Sequence, residues 1–370
     1  MGSPLSSSSS LGLFAAHVEP HLESLSVLPE INAAVLLDPT DSSIEGLTRA
    51  VQIFESMGGP LHTAVLALLA DAYQQTGKYE QAIQVLEKLM QVESASSGSI
   101  QLALSKALCY HGDFDRALQV TSELLDSPSV QSSAAARGTV LCAQGTIQLL
   151  LMTKDDDYQQ AQEVIKVLRV AAISLEPNAA AAYNNLGIAQ VVSEVTFLDR
   201  IRVDAAMSSF HTGLGMTDNE LLRGRIYNNM ATTLLLEEHE DDDEMLKLAS
   251  EYSRDALKTY ETGATLSETE KRNGLGLALG LVASCYVRAD AAVTAEGLFQ
   301  TAIDTSGVEP MTKIAQREAY RSYSALCAKW DNRQADTERL ERKSVEISDT
   351  LADAWKDKPA IMSGLVFPTL

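Results

Sequence analysis

Residues 175–190 read Leu-Glu-Pro-Asn-Ala-Ala-Ala-Ala-Tyr-Asn-Asn-Leu-Gly-Ile-Ala-Gln, and this stretch decides the fold. Pro177 has no backbone N–H to donate, so a helix that arrives there ends there. Asn178 is a residue type that caps the start of a following helix. Tyr183 and Leu186 then recur at helical spacing, which places them on one face of that helix. The stretch therefore predicts a helix–turn–helix junction whose second helix packs against a neighbour.

A repeat spacing runs through the residues before this junction. The string Ala-Tyr-Gln-Gln-Thr-Gly-Lys-Tyr-Glu-Gln-Ala places Gly77 between two helical patterns, and Gly112 holds the same place in the next pair. The two glycines are 35 residues apart (112 minus 77). Glycine suits a tight turn between helices, and the small Ala70 and Ala82 allow the two helices to approach closely. A fixed period of this length is typical of stacked helix pairs.

These features resemble the tetratricopeptide repeat family, and the chain is identified as a member of it over about residues 60–345. The junction at 175–190 is similar to the boundary between two repeats of that family. The resemblance implies an all-α fold, a right-handed α-solenoid of stacked antiparallel helix pairs forming a superhelix.

The predicted organisation has five segments. A Ser-rich, disordered N-terminal tail is followed by capping helices or a half repeat, then by an array of about six units with lengthened third to fifth units. A degenerate helical cap and a C-terminal tail complete the chain, and the apolar end of this tail is expected to pack back on the last helices. The segments are residues 1–18, 19–62, 63–310, 311–355 and 356–370.

Composition restricts the classes of partner. Among 370 residues, 50 are Asp or Glu and 29 are Lys or Arg, which gives a formal net charge of −21. Phosphate backbones and anionic membrane surfaces repel such a chain, so we expect no nucleic-acid partner. The charge favours basic protein partners, although it also serves solubility alone.

The cysteines and the hydropathy pattern bear on the compartment. The chain has 4 cysteines and no Cys-x-x-Cys pair, which predicts small buried side chains in a reducing, cytoplasmic environment. No apolar run is long enough to span a bilayer, so no integral membrane segment is expected. The first residues lack the pattern of a secretory signal.

Catalytic and metal-binding motifs are missing from the sequence. No histidine lies in a His-Glu-x-x-His motif, and Gly274, Gly276 and Gly280 follow a polar segment instead of the strand that a dinucleotide-binding turn requires. The carboxylate clusters at 155–157 and 237–244 lack the alternation of a calcium loop and are predicted to be exposed loops. We therefore expect no enzyme activity, no cofactor and no metal.

The resemblance also implies a binding surface. In that family the first helix of each repeat lines the concave face, and the corresponding positions here include Asn184 and Asn185 in the fourth unit and Arg225, Asn228 and Asn229 in the fifth. Asparagine both donates and accepts hydrogen bonds, so such a row suits the backbone of an extended peptide. Alternatively, the asparagines bond within the array and steady its packing.

The N-terminal end of the predicted groove has a different character. Its equivalent positions are more apolar and suit a partner helix, with Lys106 as the cation among them. A subclass of the family binds acidic chaperone C-termini through a clamp of Lys, Asn and Arg. Lys106 is suitably placed for that clamp, but the other clamp positions hold Leu, Ala or Asp, so we expect no chaperone clamp.

Together these features predict a non-catalytic scaffold or adaptor that binds a peptide or helix of a partner protein in its concave groove. The alternative is a permanent structural or regulatory subunit of a multiprotein complex, bound through its edge helices and C-terminal tail.

Overall fold

The computed structural model describes residues 40–55, 58–92, 98–153, 158–197, 203–236, 242–305 and 307–368. The predictions for the first 39 residues lie outside these ranges. So do those for the carboxylate cluster at 155–157 and for most of the cluster at 237–244.

The described residues form a succession of helices and contain no strand. Fifteen helices have twelve residues or more, and four single helical turns lie at Pro128–Gln131, Asp331–Arg333, Asp353–Lys356 and Ala360–Gly364. The long helices are α1 (Asp41–Glu55), α2 (Pro60–Gln75), α3 (Tyr79–Val92), α4 (Gly98–His111), α5 (Phe114–Leu125), α6 (Ala134–Leu151), α7 (Tyr158–Leu175), α8 (Ala180–Phe197), α9 (Val203–Gly215), α10 (Glu220–Leu236), α11 (Asp242–Thr262), α12 (Glu268–Arg288), α13 (Ala292–Asp304), α14 (Pro310–Cys327) and α15 (Gln334–Asp349).

Each helix from α2 to α15 packs against the next one, so the chain is a stack of antiparallel helix pairs, α2/α3 through α14/α15. This confirms the predicted all-α solenoid. The first helices of the pairs are the more completely buried, as α2 and α4 show. Among the described residues, no helix has both the length and the apolar content needed to cross a bilayer.

Two turns of the first pairs follow from their glycines. Gly77 and Gly112 have φ values of 75° and 96°, in the region that disfavours side chains. After each glycine the next N–H reaches back to the helix just ended, from Lys78 to Tyr73 O (2.8 Å) and from Asp113 to Leu108 O (2.9 Å). These bonds satisfy carbonyls that the helix end leaves without partners.

Two helix starts differ from the sequence prediction. Helix α8 begins at Ala180, so Asn178 lies before the cap position, and its N–H donates to Leu175 O (2.7 Å). Helix α12 begins at Glu268, within the polar segment that precedes Gly274, because Ser267 and Glu270 form a capping box. Gly274 therefore lies within a helix, in a geometry unlike a dinucleotide-binding turn.

After α15 the chain returns along the array. Residues 351–368, called the tail below, contact α4, α8, α10 and α14, which are first helices of their pairs, and Trp355 also contacts Phe114 at the start of α5. The tail thus occupies the inner groove, the surface formed by these first helices.

The expectation that its apolar end packs on the last helices holds in part. The turn Ala360–Gly364 packs against α14 of the last pair, whereas Leu365, Val366 and Phe367 contact α10, α8 and α4. The longer groove offers its apolar residues more surface to bury and its backbone more hydrogen-bond partners.

Candidate functional site

Asn185, on α8, binds both backbone polar groups of one tail residue, Val366. Its Oδ1 accepts a hydrogen bond from the Val366 N–H (3.0 Å), and its Nδ2 donates to the Val366 carbonyl (2.6 Å). The side chain is fully buried, and Thr146 Oγ1 on α6 also accepts from Nδ2 (2.8 Å). An amide side chain can make this paired contact with any residue, because only backbone atoms are involved.

A second tail carbonyl, two residues before Val366, has two amide donors. Gly364 O accepts from Asn184 Nδ2 (3.0 Å) and from Asn229 Nδ2 (3.3 Å). The two asparagines are linked, since Asn229 Nδ2 also donates to Asn184 Oδ1 (2.7 Å). A Cβ placed on Gly364 would lie 1.7 Å from Asn229 Oδ1, so this position has no room for a side chain.

Arg225 binds the carbonyl of Leu365, which lies between Gly364 and Val366. Its Nη1 donates to Leu365 O (3.1 Å), and its Nη2 lies 3.7 Å from Glu309 Oε2. Three consecutive tail carbonyls are therefore bound by four side chains that the sequence placed on the groove. We call these four the Asn row: Asn184, Asn185, Arg225 and Asn229.

The other two predicted site residues lie apart from the tail backbone. Asn228 Nδ2 is 3.5 Å from Gly274 O of the neighbouring α12, which fits a role within the array. Lys106 Nζ lies 5.4 Å from the centre of the Tyr110 ring, and Tyr110 in turn makes an edge contact with Phe367 of the tail, at 5.6 Å between ring centres.

A second contact region, absent from the sequence prediction, anchors the start of the tail by its side chains. Trp355 is fully buried, its Nε1 donates to Cys109 O (2.7 Å), and its ring lies edge-on to Phe114 at 5.4 Å. Lys358 Nζ donates to Met152 O (3.1 Å). One sequence feature could have indicated this anchor: Trp355 is a large aromatic residue in a polar segment after the last amphipathic helix. Periodicity, however, gives no information about where such a residue packs.

Arg317 of α14 was also missed. It is 2% exposed and donates to the carbonyls of Lys356 and Lys358, the latter at 2.9 Å from Nη2. A guanidinium so deeply buried needs acceptors, and tail carbonyls supply them.

Burial shifts the titration of groups on the apolar part of the groove. It raises the pKa of Asp71 to about 6, against the opposing effects of Lys106 and of a hydrogen bond from Gln75. It also raises the pKa of Tyr110 far above its ordinary value. The phenol is therefore neutral at physiological pH. No group of three or more His, Cys, Asp or Glu within the described ranges is arranged to hold a metal ion.

A small cavity of about 20 Å³, which opens to solvent, lies beside the Asn row. Ser363 and Gly364 of the tail line one side, and α10, α12 and α14 line the others. Three buried polar atoms of its lining residues have no hydrogen-bond partner: Asn228 Oδ1, Tyr260 Oη and Asn273 Oδ1.

No family model matches the chain, and no curated protein matches it significantly. Solved structures align over most of its length at low identity. A chain of the APC/C hetero-tetramer Cut9-Hcn1 gives a TM-score of 0.47 at 12% identity, covering 87% of this chain and 58% of the other, which is less than two thirds of that protein.

Two further likenesses involve IFIT1. The human IFIT1 dimer with m7Gppp-AAAA gives a TM-score of 0.45 at 12% identity, covering 93% of this chain and 72% of the other. A monomeric IFIT1 mutant with Gppp-AAAA gives 0.44 at 14% identity, with coverages of 97% and 76%. At these scores and identities, none of the likenesses assigns a function to this chain.

Proposed function

We propose that this chain is a non-catalytic scaffold of the tetratricopeptide type that binds an extended segment of a partner protein in its inner groove. The observation that carries the proposal is the Asn row, which binds three consecutive carbonyls, Gly364 to Val366, and one N–H, where the tail leaves the helical turn Ala360–Gly364 and becomes extended at Leu365. In this structure the bound segment is the chain's own tail.

Recognition through the backbone explains how one groove takes its own tail or a partner segment. The contacts of Asn185 with Val366 use no atom of the valine side chain. A partner segment of different sequence would satisfy the same donors and acceptors, provided that it has glycine at the place of Gly364. Main-chain bonding then fixes the register of the segment, and side-chain pockets add free energy and select its sequence.

The tail acts in this proposal as an intramolecular competitor. A tethered segment has an effective concentration on the order of millimolar, so a partner must bind more tightly than the tail or be tethered itself. The net charge of −21 would favour partners with basic flanking residues, which meet the acidic outer surface.

The alternative, a permanent subunit held through its edge helices and tail, has less support. The tail that would make such contacts has Trp355, Ile361, Met362 and Leu365 buried within the chain. Ile173 and Val293, two of the most exposed large apolar side chains, lie on different helices, α7 and α13.

The test is binding of a labelled peptide with the sequence of residues 351–368 to the full chain, followed by fluorescence anisotropy. Wild type should bind weakly because its own tail fills the groove. Gly364→Ala in the chain weakens the internal tail, so the peptide should bind about tenfold more tightly. Adding Asn185→Ala and Asn229→Ala should abolish this gain.

The matched control is Gly297→Ala, where an added Cβ meets nothing within 4 Å. This variant should bind the peptide as wild type does. Equal peptide binding by wild type and Gly364→Ala, with helical content unchanged, would refute competition for the groove.

A further inference from the structure

The array closes on itself where the turn between α2 and α3 meets the loop before α14. A Cβ placed on Gly77 in that turn would lie 3.5 Å from Val308 Cβ in the loop, which is van der Waals contact. We call this contact the seam, with Gly77 and Tyr79 on one side and Val308 and Glu309 on the other. First helices of the second, fourth, fifth and seventh pairs hold the tail, so the seam closes the array around it.

The seam is a small contact with an unfavourable feature. Val308 is 41% exposed, although it is the residue that meets Gly77. Tyr79 Oη is buried and has no hydrogen-bond partner among the described residues. Burial chiefly, and then the nearby charge of Glu309, raises the pKa of Tyr79, so the phenol stays neutral. A buried hydroxyl without a partner costs free energy that contact with water would return, so the array can open here more easily than within a helix pair.

The end of the tail is linked to both sides of the seam. On one side, Phe367 makes an edge contact with Tyr110 at 5.6 Å between ring centres, and Tyr110 makes one with Tyr79 at 5.2 Å. On the other side, Arg225, which binds a tail carbonyl, has its Nη2 3.7 Å from Glu309 Oε2. The docked tail therefore stabilises the closed seam, and the closed seam retains the tail.

We propose that the array opens at the seam to release the tail, and that a partner segment enters the groove through the same opening. The entry of a partner rests on the proposed function, whereas the release of the tail concerns this chain alone. Since the tail and the seam stabilise each other, loss of one favours loss of the other. A partner that displaces residues 365–367 would therefore also weaken the contact between the two ends of the array.

A disulfide across the seam tests this inference. The double variant Gly77→Cys/Val308→Cys has its two Cβ atoms 3.5 Å apart, within the range of disulfides, and the four native cysteines are buried. Hydrogen exchange at the Val366 amide then reports release of the tail. It should be slower in the oxidised than in the reduced form by about tenfold or more. Gly77→Cys alone, which has the same strained φ, should exchange equally in both conditions.

A pair of milder variants tests the seam without a new covalent bond. Val308→Ser shortens the side chain that meets Gly77, so it should speed exchange at Val366 several-fold. Val293→Ser is the matched control, because this valine on α13 is 86% exposed, and it should leave the exchange unchanged.

The outcomes separate this inference from the proposed function. Equal exchange at Val366 in the oxidised and reduced forms would overturn the inference, because the tail would then leave with the seam closed. Slowing that is matched at the buried Met230 of α10 would reflect global stability and would overturn it equally. If exchange follows the seam but the peptide of residues 351–368 does not bind the reduced form carrying Gly364→Ala, the proposed function fails and the seam inference stands. An unprotected Val366 in wild type would overturn both.

Discussion

The two halves of the inner groove hold the same tail by different means. On α8 and α10 the Asn row binds carbonyls and an N–H of the backbone. On α4 and α5 the groove encloses the Trp355 ring, with one hydrogen bond from its indole N–H. The polar half is therefore tolerant of sequence, apart from the glycine at 364, whereas the apolar half requires a particular side chain.

The two halves therefore make different contributions. The apolar half supplies most of the free energy of docking, and the polar half sets the register of the tail. Burial of a large aromatic ring contributes free energy without fixing the chain to one position. The paired contacts of Asn185 contribute less but fail completely if the tail shifts by one residue. A segment must satisfy both halves to dock in one register.

The largest effect should come from the apolar anchor. We expect Trp355→Ala to reduce the free energy of unfolding by about 4 kcal/mol, because it leaves a large cavity over Phe114. Chemical denaturation measures this loss. Trp355→Phe keeps a ring and loses the bond to Cys109 O, so it should cost markedly less; an equal cost for both variants would mean that ring burial is not the main term.

The second-largest loss of stability should come from placing a charge in the polar half. Asn185→Asp replaces the donor to Val366 O with a buried carboxylate oxygen and should cost about 3 kcal/mol. Asn178 is exposed, so Asn178→Asp should change stability little and serves as the control. Similar unfolding free energies for the two variants would show that Asn185 is not engaged as described.

A smaller effect tests the close approach at Gly364. We expect Gly364→Ala to cost about 2 kcal/mol, because the new Cβ would overlap Asn229 Oδ1. Shortening the obstructing side chain by Asn229→Ser in the same molecule should recover part of the loss. Additive losses in the double variant, measured by thermal unfolding, would contradict the steric explanation.

An effect of similar size, which appears only as pH rises, is expected in the apolar half. Burial raises the pKa of Asp71 to about 6, so the folded chain holds this proton more tightly than the unfolded chain does. Its contribution to stability is therefore fully present below pH about 4 and is lost as pH rises through 6. Asp71→Asn cannot ionise and should gain about 2 kcal/mol relative to wild type between pH 4 and 8. A difference that stays constant with pH would contradict this.

The sequence predicted the fold well because its signals are local. The turns at Gly77 and Gly112 depend on a few neighbouring residues, and the structure has both with positive φ. The start of α12 also has a local signal, the capping pair Ser267 and Glu270, which are three residues apart. This pair was missed because it lies within the polar segment that ends at Asn273.

The site was only partly predictable. The sequence shows the repeat spacing, and this spacing was enough to place four residues in the groove: Asn184, Asn185, Arg225 and Asn229. Their occupant depends on the path of the chain after α15, and Trp355 bonds with a residue 246 positions away. No periodicity encodes such a long-range contact, so the contacts of the tail with α4, α8 and α10 were not predicted.

The most direct test of the central claim, that the Asn row binds an extended backbone, is native-state hydrogen exchange at the Val366 amide of the full chain. The account predicts slow exchange in wild type and exchange near the unprotected rate in Asn185→Ala, with the exchange of α4 amides unchanged. Fast exchange at Val366 in wild type, or equal protection in both proteins, would contradict it.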